Sequence, residues 1–139
     1  MTKRYIAFIL IISIFCMHLS LPASAQMDSS EYIAMTYASL SQGNSSGKLI
    51  VDYSITGTSK MDTIGVSKIK VYRSNGSWYQ TIYGTVGGGL LKQNKVTVTD
   101  SYTLSCVSGQ SYYCEVTLYA AKGSGSDSRT ITTGTVTAP

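Results

Sequence analysis

Histidine occurs once in the 139 residues, tryptophan once, phenylalanine twice and cysteine three times. Position sharpens these scarcities. Lys3 and Arg4 open the chain, an apolar run follows over residues 6–17, and small residues stand at Ala23, Ser24 and Ala25. That order is the charged n-region, apolar h-region and A-x-A site of a secretory signal peptide. About a dozen apolar residues fall short of the roughly 20 that a bilayer span needs, and no second apolar stretch follows as a stop-transfer segment. Phe15 stands before Cys16 where a lipoprotein site would need a small residue. We therefore expect a helical signal peptide over residues 1–25, cleavage after Ala25, a single mature domain over residues 26–139, and no stable membrane span after cleavage. His18, Phe8, Phe15 and Cys16 leave with the peptide.

The mature chain then has no imidazole. A Ser-His-Asp or Cys-His nucleophile cannot be assembled. Neither can a zinc site that uses histidine, and two cysteines are too few for an all-thiolate one. No phosphate-cradling G-x-x-x-x-G-K-[ST] motif is present. Gly87-Gly88-Gly89 has neither the lysine nor the following helix and reads as a flexible connection. Acids are few: Asp28, Glu31, Asp52, Asp62, Asp100, Glu115 and Asp127 are scattered, with no spacing that pairs two of them for glycoside hydrolysis. Ser124-Gly125-Ser126-Asp127 lacks the several acidic ligands of a calcium loop. Without Lys3 and Arg4, nine basic side chains face those seven acids, a net charge of +2. That is too weak and too dispersed for nucleic acid, which requires a clustered basic face. We expect no cofactor, no metal, no nucleic-acid partner and no enzyme activity.

Ser, Thr, Gly, Tyr and Val dominate what remains, which favours strands over helices. No stretch repeats its apolar residues at helical spacing over three turns; residues 32–40 read as an irregular first strand. Period-two runs are clearer. Leu49, Val51, Tyr53 and Ile55 alternate with Ile50, Asp52, Ser54 and Thr56. Ile64 and Val66 have one parity, Ile69 and Val71 the other, so a bulge near Ser67-Lys68, or a bend between sheets, must absorb the change. Ser74-Asn75-Gly76-Ser77 carries an Asn-Gly turn signal, and residues 78–86 form the next strand. Val96, Val98, Tyr102, Leu104 and Cys106 share even parity. Tyr112, Cys114, Val116, Leu118 and Ala120 face one way, Tyr113, Glu115, Thr117 and Tyr119 the other. Residues 122–127 read as a loop and 130–137 as a closing strand kinked at Gly134. About seven strands without a helix to cover a parallel sheet predict an all-β, antiparallel two-sheet sandwich of immunoglobulin or fibronectin type. A small barrel is the alternative.

Cys106 and Cys114 are an even pair in an exported chain and read as a disulfide. A tight turn centred on Gln110 would set them opposite each other on the inward face, close to bonding range. Closing so short a loop would contribute about 2.5 kcal/mol in the chain-entropy account. Tyr112, two residues before Cys114, has the position of a tyrosine corner.

Candidate binding residues are the aromatics that parity leaves outside. Tyr113 and Tyr119 fall on the outer face of their strand, and Tyr79 and Tyr83 lie on the opposite parity from Trp78. Tyrosine and tryptophan bring large contact area with little entropy to lose. Lys68 and Lys70 share a face, with Arg73 nearby, either an anion-facing strip or a charged face that discourages edge pairing. Asn44-Ser45-Ser46 and Asn75-Gly76-Ser77 match the N-glycosylation pattern, relevant in a eukaryotic secretory route only.

Met61-x-x-Ile64-Gly65-x-x-x-Ile69, Arg73-Ser74, Gly76-x-Trp78, and then Val107-Ser108-Gly109 before Tyr112-Tyr113, Val116 and Ala120, resemble small exported proteins of Gram-positive bacteria classed only as a domain of unknown function. The likeness covers residues 32–138. The chain departs from that pattern at Cys114-Glu115, where a basic residue would follow the tyrosines, and near Tyr119, where a histidine would stand. The resemblance implies a secreted bacterial β-sandwich and no activity. The function expected is a non-catalytic extracellular module, free or wall-associated, that binds a protein, glycan or wall polymer. The alternatives are a secreted effector or inhibitor and, third, a carboxylate-dependent hydrolase.

Overall fold

The computed structural model describes residues 30–139. The expected signal peptide, its cleavage after Ala25, and Asp28 lie outside the described residues. In chain order the strands are β1 (Ile33–Gln42), β2 (Lys48–Arg73), β3 (Trp78–Tyr83), β4 (Leu91–Ser105), β5 (Ser111–Lys122), β6 (Gly125–Thr132) and β7 (Val136–Thr137). No helix occurs among the described residues.

The alternation in β2 behaves as its sequence requires. Leu49, Val51, Tyr53 and Ile55 are buried, while Ile50, Asp52, Ser54 and Thr56 are half-exposed. Further along, Ile64, Val66, Ile69 and Val71 are all fully buried despite their opposed parities. The reconciling bulge is present. The register against β5 slips between Val66 and Lys68, so Ser67 is the extra residue, and its hydroxyl donates to the Thr117 carbonyl at 3.2 Å.

Register also shows how β2 organises the sheet. Over residues 49–56 it has β1 on one edge and β4 on the other; over 63–65 it has β4 and β5; over 68–72 it has β3 and β5. One edge of β2 therefore serves β1 and then β5, and the other serves β4 and then β3. Strand β5 adds β6 and β7 beyond it. Between Thr56 and Met61 the register against β4 slips, and Gly57 lies against the Met61 side chain at this bend. The result is an all-β, antiparallel, seven-stranded sheet curled into a half-barrel. The expected strand number and antiparallel pairing hold. In place of two separate stacked sheets, one strand of 26 residues hydrogen-bonds both halves into one.

The core lies inside the curl. Tyr112, Cys114, Val116, Leu118 and Ala120 present the fully buried face of β5. One end is closed by residues 106–110, which cross from β4 to β5, and by the chain terminus. Cys106 N–H donates to the Gly47 carbonyl at 2.7 Å, Gly47 N–H to Pro139 at 2.7 Å, and Gly109 N–H to Ala138 at 2.9 Å. The Tyr112 hydroxyl accepts the Val107 N–H at 3.1 Å and lies 3.3 Å from Gln110 Oε1. It thus reaches back to the backbone upstream, as a tyrosine corner does.

Three local expectations change. Val96 does not join the inward set; it is 48% exposed, just past Asn94, whose φ of 56° turns the strand. Residues 122–127 are a tight hairpin, because Gly123 takes φ 59° and β6 already starts at Gly125. The closing strand breaks at Thr133, before Gly134. Thr133 is a buried polar side chain: its hydroxyl accepts the Cys114 N–H at 3.0 Å and donates to the Gly134 carbonyl at 3.0 Å. Thr133→Val keeps the shape and strips the Cys114 N–H of that acceptor. We expect a loss of about 1–3 kcal/mol in chemical denaturation, with the denaturant slope unchanged.

Candidate aromatic binding face

The outer side of β3, β2 and β5 carries a row of rings. Directly opposed residues on neighbouring strands point to the same side. Trp78 is opposite Tyr72, and Tyr72 is opposite Tyr113. Two interstrand steps make this row about 10 Å wide. Tyr72 and Tyr113 stack with centroids 5.2 Å apart and planes at 15°. The Tyr72 hydroxyl donates to Glu115 Oε2 at 3.3 Å. Trp78 is 61% exposed, and its indole N–H donates to Thr81 Oγ1 at 3.0 Å, which directs the ring along β3. Tyr83, 73% exposed, stands opposite Lys68 on the same face.

A bulge builds this arrangement. Val71 pairs with Gln80 and Tyr72 with Trp78, so one step on β2 matches two on β3 and Tyr79 is the extra residue. Parity alone separates Trp78 from Tyr83; the bulge returns them to one face and turns Tyr79 inward. There Tyr79 packs 5.0 Å from the Tyr112 ring, with the Arg73 guanidinium 5.0 Å over its own ring. Burial, more than any neighbouring charge, raises the Tyr79 phenol above its ordinary range.

Of the five aromatics singled out in the sequence, Trp78 and Tyr113 belong to the row and Tyr83 lies beside it. Tyr79 is a packing residue. Tyr119 shares the outer face, but six residues of strand set it about 20 Å from Tyr113. Tyr72 completes the row and was not among the candidates. Its signal was present: it continues the parity of Lys68 and Lys70. Those lysines sit on the same face, opposite Thr117 and Glu115.

A second feature is a cleft of about 590 Å³ lined by Ser30, Glu31, Tyr32 and residues 125–129. It brings Glu31 and Asp127 together, a pair the spacing did not flag. Asp127 acts there as a clamp. Its Oδ2 accepts the Ser30 hydroxyl at 2.5 Å and the Tyr32 N–H at 3.3 Å. These bonds, the Ser30 one foremost, hold its carboxyl below the ordinary carboxylate range. Strand β1 is thereby fastened to β6. Among the described residues no group of three His, Cys, Asp or Glu is placed to hold a metal.

Cys106 and Cys114 are separate thiols here, Cys106 half-buried and Cys114 fully buried. The expected geometry between them is not found. Strands β4 and β5 do not pair with each other, so nothing sets the two residues opposite one another; Cys114 faces Val71 instead. They remain electrostatic neighbours: burial raises the Cys114 thiol most, and the Cys106 charge raises it further.

No family model matches the chain, and no curated protein matches it. Among solved structures, it is similar to part of the crystal structure of a family 76 glycoside hydrolase from a bovine Bacteroides thetaiotaomicron strain. That likeness has 14% identity and a TM-score of 0.43, and covers 75% of this chain and 20% of the other. The chain thus spans about one fifth of that protein's length.

Proposed function

We propose that this chain is an exported, non-catalytic binding module acting outside the cell, and that the face formed by Trp78, Tyr72, Tyr113 and Tyr83 is its binding surface. In this reading residues 1–25 are removed after Ala25, as in the small exported Gram-positive proteins the chain resembles. Cys106 and Cys114 lose two hydrogens to an external disulfide and join. The two halves of β2 are then the linked layers of a sandwich of immunoglobulin type.

The observation that supports it is the aromatic row. Three rings lie in register on three adjacent strands, with the indole largely in solvent, although core space was the alternative use for them. Exposed aromatic clusters of this kind mark interaction sites.

Trp78 is the single tryptophan, so its fluorescence reports directly on the face. The mature domain, incubated with cell-surface and wall fractions, should be retained and its emission should shift. Trp78→Ala should weaken retention by about tenfold or more. Tyr37→Ala, on the outer face of β1, should leave it unchanged. Retention equal in the wild type and Trp78→Ala would remove the face from the account.

A further inference from the structure

Resting on the aromatic-face reading, the structure assigns a ligand class: we infer that the face takes an anionic polysaccharide whose pyranose rings carry carboxylates.

Three clefts of the described residues lie between Ser30 and Arg129, along the bend of β4, and between Arg73 and Ser111, and Trp78, Tyr72, Tyr113 and Tyr83 line none of these three. Trp78 and Tyr83 stand 61% and 73% exposed on the sheet face. A small molecule needs a concave site that covers most of its surface, so an open sheet face suits a polymer laid across it. Exposed rings with the Thr81 hydroxyl and the Glu115 carboxylate beside them favour sugar over an apolar partner. Thr81 stands in the next outward position of β3, opposite Lys70, and Glu115 then Thr117 follow Tyr113 on β5, opposite Lys70 and Lys68.

Charge narrows the class. Lys68 and Lys70 are two residues apart on one strand face, about 7 Å along it. Among the described residues neither enters an ion pair. Glu115, the acid opposite Lys70, accepts the Tyr72 hydroxyl. Arg73 is held at the row's end by the Trp78 carbonyl at 3.3 Å and by the Tyr79 ring. The face therefore offers two free ammonium groups directly beside the aromatic row. A ligand that satisfies both must carry ring faces and anions in the same repeat. A uronate polymer does. A polyol-phosphate polymer supplies anions without rings in its backbone, and a neutral glycan leaves both lysines unanswered.

The test titrates the mature domain with polygalacturonate, a neutral dextran and poly(ribitol phosphate), followed by Trp78 emission at two ionic strengths. Polygalacturonate should bind best, with affinity falling as salt rises. Lys68→Gln/Lys70→Gln should lower that affinity about tenfold and flatten the salt dependence, with the melting temperature unmoved. Trp78→Ala, which lacks the fluorophore and is followed by titration calorimetry, should weaken binding by about tenfold or more. Equal, salt-independent binding of dextran would overturn the anionic assignment while leaving the aromatic face standing. A preference for poly(ribitol phosphate) would overturn the ring requirement. Binding of none of the three overturns the polysaccharide assignment, and retention on wall fractions then decides separately whether the face binds at all.

Discussion

Gly65→Ala is expected to lower the melting temperature by on the order of 15 °C, or to prevent folding altogether. Gly65 sits where β2 is flanked on both edges, paired with Leu91 of β4 and Tyr119 of β5. Its φ is 145°, outside the range that side-chain-bearing residues adopt easily. A Cβ placed there would collide with the Leu90 carbonyl oxygen and lie 3.1 Å from the Leu91 Cα. Both are backbone atoms. The Leu90 carbonyl is also fixed by the Val66 N–H at 2.9 Å, so it cannot swing away without opening the β2–β4 pairing. Strain and collision together should cost about 4 kcal/mol, the range reserved for a few named mechanisms. Gly76→Ala is the control. Gly76 has φ 84° but open space around it, so only the left-handed conformation is charged, about 1–2 kcal/mol. Thermal unfolding followed by circular dichroism separates the two. If both variants melt within a few degrees of each other, the close approach at Gly65 is not what constrains the bend.

How much of this was legible depended on whether a feature is a matter of faces or of edges. Alternation states which side of a strand is buried, and it did so correctly for β5 and for both halves of β2. The bulge at Ser67 was legible for the same reason: Ile64 and Val66 cannot share a core with Ile69 and Val71 without an extra residue. Edges leave no such mark. Nothing in residues 48–73 says that one strand changes partners twice, so the curl into a half-barrel could not be read. The same ambiguity misplaced the cysteines. Ser108-Gly109 signals a turn whether the flanking strands pair with each other or lie in different halves of a curled sheet. Here the loop crosses the end of the half-barrel, and the opposition of Cys106 to Cys114 dissolves. On the aromatic face, Trp78 and Tyr83 lie outside, whereas Tyr79 turns inward. A bulge that immediately follows a turn changes parity without any residue pattern to announce it. Tyr72 shares the outward parity of Lys68 and Lys70, so its segment reads first as a charged face and the ring at its end carries no separate mark.

Alkaline stability should distinguish the thiol form of this protein from the bonded one. Burial pushes the Cys114 thiol from 9.0 to about 12, with the Cys106 charge adding to the effect. Burial also pushes the Tyr53 phenol from 10.0 to about 12, with Asp100 adding to it. In each case the folded state keeps a proton that the unfolded chain releases earlier. The stability from both groups is therefore fully present below pH 9 and is lost as pH rises towards 12. At about 1.4 kcal/mol for each unit of separation, the loss amounts to several kcal/mol by the end of that window. In a reducing buffer the decline begins near pH 9, where the unfolded thiol starts to ionise. Joining Cys106 to Cys114 removes both thiol protons, and the onset moves to pH 10, set by Tyr53. Cys106→Ser/Cys114→Ser should show the later onset in either buffer. The measurement is the melting temperature from pH 8 to 12, with and without reductant. Identical curves for the exported wild-type protein in the two buffers, both bending at the lower pH, would mean that the sulfurs stay apart. A tyrosine-driven decline that begins only above pH 10 in the oxidised sample would place the bond where the separate thiols now sit, beneath the crossing loop at the closed end of the half-barrel.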